Sequence, residues 1–412
     1  MFEEPFTADC RIYNLLQNAP RHLSFHTPGH KEGKWDITEL SFSDNLSAPK
    51  GVLKAAQEDA AKILGADESF FLTDGSTCGV MAMIYACGAK RILFPSASHK
   101  SVYNACELMR LKKTVIKTRY FGSVPQQPTA DEIARALEKT PCGAVVITSP
   151  DYYGNVADLA GIRAVCDKFH AVLLCDGAHG SHLHGTPLHA GKYADMWVDG
   201  VHKSLPAFTQ GAVVSAKGAW CAPLARAVDI FRTSSPSYPI LASIEYALKY
   251  PKNPDLKRAA QELKERFHAY PSPDYTKIVI SYGEDAPAVA KFFEERGVYP
   301  EFCDGVNILF YLSPATKKAD LERLCALLET VRPLQKEGGT PETKRGKRTK
   351  KVARVPLEDA VGETCAAPCG LFPPCIPLIE EGQTVTEEAA KRLMGADNEF
   401  GLIENKIAVY VK

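Results

Sequence analysis

Ala171-Val-Leu-Leu-Cys-Asp-Gly-Ala-His-Gly180 is apolar through Cys175 and turns polar at Asp176. A short apolar run without alternation reads as a strand buried on both faces. Arg91-Ile-Leu-Phe94, Ala144-Val-Val-Ile-Thr148 and Ala212-Val-Val-Ser215 read the same way. Helical patterns separate them, among them Lys54 to Leu64, stopped by Gly65, and Cys78 to Ala86. Strands alternating with helices predict an α/β domain, with a mostly parallel sheet and helices on both faces. Its functional groups are expected at the carboxyl ends of the strands. Beyond the helical Ile240 to Leu248, the segments Lys277 to Ser281, Ala286 to Arg296 and Val306 to Leu312 predict a smaller α+β C-terminal domain. The expected division is an arm over 1–45, a large domain over 46–250 and a small domain over 251–412.

Lysine plus arginine and aspartate plus glutamate balance at 49 each in 412 residues, so no charge excess favours nucleic acid or a membrane surface. The acidic start, Met1-Phe-Glu-Glu4, does not read as a signal peptide, and no apolar run is long enough to span a bilayer. Thirteen cysteines without a Cys-x-x-Cys pair read as free thiols in a reducing cytoplasm. The stretch from Gly338 to Lys351 is polar and strongly basic, and is expected to be a solvated loop.

Chemistry concentrates where the apolar runs end. Asp176 closes one run, and Val198-Asp-Gly-Val-His-Lys-Ser-Leu205 places Lys203 after another. A lysine amine for a Schiff base and a carboxylate for a pyridine nitrogen are what pyridoxal 5'-phosphate (PLP) requires of a protein. Asp74-Gly-Ser-Thr-Cys-Gly79 opens a helix, where Gly75 permits a sharp turn and Ser76 and Thr77 can bind a phosphate. The bland reading of that motif is a simple N-cap. His99 follows the run Arg91 to Phe94 and can stack on a flat cofactor or merely cap a helix. His179 is expected to hydrogen-bond Asp176, and His202 to contact phosphate or move a proton. His179, His182, His184 and His189 cluster in sequence, with His182 and His184 placed to share one side of a strand. No carboxylate or thiol set completes a familiar ligand spacing, so no metal is expected.

Phe25-His-Thr-Pro-Gly-His-Lys31, Asp74-Gly-Ser-Thr77, Ser98-His-Lys100, Pro150-Asp-Tyr-Tyr-Gly154, Asp176-Gly-Ala-His-Gly180, His202-Lys-Ser-Leu-Pro206 and Thr233-Ser-Ser-Pro-Ser-Tyr-Pro239 occur in this order. Together they resemble the bacterial ornithine/lysine/arginine decarboxylases, PLP enzymes of the aspartate-aminotransferase fold (fold type I). The likeness is to a short form without the receiver-like wing domain. It implies Lys203 as the Schiff-base lysine, Asp176 as the ring-nitrogen partner and His99 as the stacked ring. Ser76 and Thr77 would bind phosphate with His202 nearby, and Ser234 would lie at a dimer interface, near the neighbouring subunit's phosphate. The segment from Phe25 to Lys31 resembles an arm packed close to the site.

The resemblance implies decarboxylation of a basic amino acid (lysine, arginine or ornithine), through an external aldimine and a quinonoid, in a cytoplasmic homodimer or higher even-numbered oligomer. Two departures stand out. Gly200 replaces a serine usual three residues before the lysine, and Pro373-Pro-Cys-Ile-Pro377 with Glu381-Gly-Gln383 alters a signature near the carboxyl end. A transaminase or lyase on the same fold is the alternative, and a transaminase would need a small-domain arginine, for which Arg332 and Arg354 are candidates. A PLP-binding protein with weak or lost catalysis is the third reading.

Overall fold

The computed structural model describes residues 2, 6–20, 22–31, 35–331, 346, 348–349, 351–371, 375–394 and 399–411. The basic stretch 338–351 lies almost wholly outside the described residues, as does Arg332.

Two helices come first, α1 (Arg11–Gln17) and α2 (Val52–Leu64). Gly65 ends α2 in a left-handed conformation, with φ of 73°, as the sequence predicts. There follow β1 (Glu68–Leu72), α3 (Gly75–Ala86), β2 (Arg91–Pro95), α4 (Lys100–Leu108) and β3 (Lys112–Ile116). A hairpin of β4 (Tyr120–Phe121) and β5 (Val124–Pro125) leads to α5 (Ala130–Lys139), β6 (Ala144–Thr148), α6 (Leu159–Lys168) and β7 (Val172–Gly177). β8 (Met196–Asp199), the single turn α7 (Val201–Ser204), β9 (Ala212–Ala216), α8 (Cys221–Phe231) and α9 (Tyr238–Lys249) complete this part.

Seven strands form one sheet in the order β1-β9-β8-β7-β6-β2-β3. Five neighbours from β8 to β3 pair in parallel, whereas β9 runs antiparallel to both β8 and β1. The apolar run Ala212 to Ser215 therefore belongs to the sheet but runs against the direction the sequence suggests. Its cause is the connection 200–211, which holds one helical turn instead of a full crossover helix.

Successive residues of the central strands serve two cores. Val145, Ile147, Leu173, Cys175 and Trp197 pack with α2, α5, α6 and α9 on one face. Val146, Leu174, Met196 and Val198 pack with α3, α4 and α8 on the other. With both faces covered by apolar cores, the polar groups of the site gather at the carboxyl ends of the strands.

A second sheet, ordered β10-β12-β11, comprises β10 (Lys277–Ser281), β11 (Phe302–Cys303) and β12 (Asn307–Tyr311). One face packs Ile278, Ile280, Ile308 and Phe310 with its own helices. From the other face, Val279 and Leu309 meet Tyr152 and Tyr153, which follow β6. The second sheet thus presses against the carboxyl end of the first. A further apolar cluster, including Leu357, Ile379, Ile407 and Val409, lies near the end of the chain. Among the described residues no helix is long and apolar enough to cross a membrane.

Phe94 is fully buried, and its ring meets Tyr103 edge-on at 5.1 Å between centres. Phe94→Ala is expected to cost about 3–5 kcal/mol of stability. Thermal or denaturant unfolding checks this, and a cost below about 1 kcal/mol would contradict the packing described.

Candidate active site

The carboxyl ends of β1, β2, β6, β7 and β8 surround a cavity of about 220 Å³. Gly75, Ser76, Thr77, His99, Asp176, His179, His202 and Lys203 all line it, so eight of the nine residues singled out from sequence meet in one place. The ninth, Ser234, is exposed and is absent from the lining. Its segment nonetheless abuts the same turn, because Thr233 N donates to Asp74 Oδ2 at 3.3 Å.

Gly75 opens α3 with φ of 73°, and its N–H donates to Gln210 O at 2.9 Å. Asp74 makes no side-chain cap to α3, so the simple N-cap reading of this motif fails. Ser76 Oγ and Thr148 Oγ1, both in the cavity lining, are buried with no hydrogen-bond partner among the described residues. Buried hydroxyls without partners carry an energetic penalty that a bound polar group removes.

Asp176, at the end of β7, is 3% exposed, and its carboxylate accepts from Ala178 N at 3.2 Å. Burial pushes its carboxyl up, and Lys203 pulls it down only in part. Lys203 sits on α7, just past β8, where burial pushes its amine down while Asp176 opposes the shift. Lys203 Nζ lies 3.1 Å from His179 Nε2.

The expected bond between His179 and Asp176 does not form. The turn closed by Gly180 N to Gly177 O, at 2.7 Å, carries the ring to Lys203, with Nδ1 3.4 Å from Tyr311 Oη. Burial first, then the charges of Lys203 and Lys277, hold His179 far below the usual imidazole range. His99 both caps α4 and lines the cavity. Its Nδ1 accepts from Ser101 N at 3.2 Å, and burial holds its pKa down to about 3. The capping reading holds, and the cap fixes the orientation of a ring that lines the cavity. His202 donates from Nδ1 to Gly211 O at 2.9 Å, leaving Nε2 as an acceptor.

The other histidines of the cluster have structural partners. Ser181–Leu183 is a 3-10 turn, not a strand, so His182 and His184 do not share a face as the sequence suggested. His182 Nε2 bonds Asp274 at 2.9 Å, His184 Nδ1 bonds Ser181 O at 2.8 Å, and His189 Nε2 bonds Asp199 at 3.0 Å.

Sequence reasoning missed Thr148, Tyr152, Gln210 and Ile376, which also line the cavity. Tyr152 lies in a quoted motif but carried no role; its ring meets His179 at 4.6 Å and its hydroxyl bonds Glu301. Phe25 is 93% exposed, and the segment Phe25 to Lys31 contributes nothing to the lining. Gln383 Oε1 accepts from Glu380 N at 3.0 Å and lines a separate cavity with Tyr120 and Arg392.

A family model described as Orn/Lys/Arg decarboxylase, major domain, matches residues 34–270. The uncharacterized protein YaaO of Bacillus subtilis is 30% identical, over 92% of this chain and 92% of its own length. An arginine decarboxylase of the same organism is 28% identical, over 91% and 90% respectively. In structure, the constitutive lysine decarboxylase of Escherichia coli superposes with a TM-score of 0.72 at 18% identity, covering 99% of this chain and 81% of that one.

Gly200 is a close-approach position. A Cβ there would lie 2.4 Å from Ala178 O and 2.8 Å from Ser76 Oγ. The glycine lets the loop before Lys203 press against the turn after β7. Gly200→Ala is therefore expected to lower stability by about 1–3 kcal/mol, measured by thermal unfolding. An unchanged melting temperature would show that the approach is looser than described.

Proposed function

This chain belongs to the Orn/Lys/Arg decarboxylase family, and we propose that it decarboxylates a basic amino acid (arginine, lysine or ornithine) with pyridoxal 5'-phosphate as cofactor. The observation that carries this reading is the meeting of Lys203 and Asp176 in one buried cavity, each perturbing the other's protonation. The donor set fits the cofactor. Ser76 Oγ is buried without a partner among the described residues, and the first N–H groups of α3 would accompany it for a phosphate. Asp176 would take the ring nitrogen, His99 would present its fixed ring to the cofactor's face, and Lys203 would hold the aldehyde carbon. When bound, PLP supplies an electron sink for the pair released at Cα as the carboxylate leaves.

The protein's own part is to prepare protons and line the cavity. Burial lowers the Lys203 amine's affinity for a proton, so more of it is neutral and nucleophilic near neutral pH. His179 Nε2, 3.1 Å away, accepts from that amine. Lys203 would return a proton to Cα, whereas His202, with its proton committed from Nδ1 to Gly211 O, offers Nε2 only as an acceptor, for a phosphate hydroxyl or a passing proton. Tyr152 and Ile376 add apolar surface to the cavity lining. Which bond at Cα is held for cleavage follows from orientation.

Arg354, a candidate for a transaminase's carboxylate grip, instead donates to Lys406 O at 3.3 Å and is absent from the cavity lining. That placement removes Arg354 from the carboxylate-gripping role; Arg332 lies outside the described residues. We further propose a cytoplasmic homodimer with an arm over 1–45, a large domain over 46–250 and a small domain over 251–412. Leu23 and Phe25, 88% and 93% exposed, supply apolar surface in the arm for a second subunit, and exposed Ser234 stands ready to face it.

Product analysis with arginine, lysine and ornithine tests the reading: carbon dioxide and a primary amine are expected, whereas a keto acid would overturn it in favour of transamination. Asp176→Asn is expected to leave the fold intact while lowering kcat about 10²–10³-fold, a typical loss when one preorganised electrostatic partner is removed. Steady-state kinetics decide this, and wild-type kcat in that variant would remove Asp176 from the mechanism.

A further inference from the structure

Behind the cavity lies a buried ion pair that the chemistry above does not use. Lys277 heads β10, and its side chain and that of Asp274 are both 0% exposed. Three acceptors meet the Lys277 ammonium: Asp274 Oδ2 at 2.6 Å, Thr276 Oγ1 at 2.9 Å and His179 O at 3.2 Å. An ammonium has three N–H donors, so the match is complete. Its nitrogen also lies 4.0 Å from the centre of the Tyr311 ring. Asp274 accepts in addition from His182 Nε2 at 2.9 Å and from Thr276 N at 2.9 Å.

Stability alone is a poor reason for such a pair, because well-packed apolar replacements are commonly as stable. Its contacts point elsewhere. One donor ends on the His179 carbonyl, and Tyr311, beneath the same charge, reaches the His179 ring at Nδ1. The ring's other nitrogen faces Lys203. A charge on the second sheet thereby reaches the reactive amine through one histidine held at its backbone and at its ring.

We propose that Lys277, with Asp274 as its counter-charge, is a positioning residue that fixes His179 so that Nε2 faces the Lys203 amine. The proposal rests on Lys203 as the reacting amine. His179 is faced by Lys203, Lys277, His99 and Asp274, and by the rings of Tyr152 and Tyr311. Burial and the nearby cations keep it neutral, so its tautomer and orientation are what Lys277 sets.

The test uses the cofactor-free protein labelled with ¹⁵N-histidine, its His179 signals assigned with His179→Gln. Wild type is expected to show a single His179 tautomer with the proton on Nδ1. Lys277→Met/Asp274→Asn removes both charges together, so no buried charge is left unpaired. Lys277→Leu/Asp274→Asn likewise removes the ammonium from the His179 carbonyl with its counter-charge, providing a second variant should the first fail to fold. Averaged nitrogen shifts at His179 are expected in each folded variant. A single unchanged tautomer in a folded variant would overturn the proposal. In the PLP-loaded enzyme, either double variant is expected to lose kcat about 10–100-fold, as second-layer partners typically do, with little change in KM. Failure of wild type to bind PLP would instead overturn the functional reading, leaving the His179 spectrum to decide the role of Lys277.

Discussion

The Lys203 amine is buried at the cavity wall, 3.1 Å from a neutral imidazole and within the field of a buried carboxylate. Much of the surrounding structure serves to keep that amine there. Burial favours its neutral form, yet a fully apolar pocket would offer nothing to orient it. His179 provides the acceptor, and Asp176 supplies a counter-charge that limits the shift. The close approach at Gly200 then brings α7 against the turn after β7, so that lysine and aspartate share one space.

That arrangement follows from the sheet. Strands whose alternate residues feed two cores leave their carboxyl ends for polar groups: Asp176 sits in the last residues of β7, and His99 and Lys203 just past β2 and β8. The second sheet closes the same region from the side of Tyr152 and Tyr153. It brings Tyr311, Lys277 and Asp274 to the back of His179, joining two cores across the site.

Much of this was legible in the sequence because it is local. Apolar runs ending in Asp176 or preceding Lys203 marked the strand ends, and the ordered motifs gathered the lining residues. What was hidden depends on distance along the chain. Asp274 meets His182 across 92 positions and Lys277 meets the His179 carbonyl across 98, and neither pairing leaves a mark at either place. Lys277 read simply as the first residue of a β-branched strand. The direction of β9 was hidden too, because an apolar strand reads alike either way. His179 was given the wrong partner because a spacing of three residues says nothing about how a turn aims a ring.

The most direct test of the account is chemical. The purified protein is loaded with PLP, reduced with borohydride and digested, and the modified peptide is identified by mass spectrometry. A pyridoxyl group on Lys203 is the predicted result. No fixed label, or a label on another lysine such as Lys277, would contradict the assignment on which the site rests.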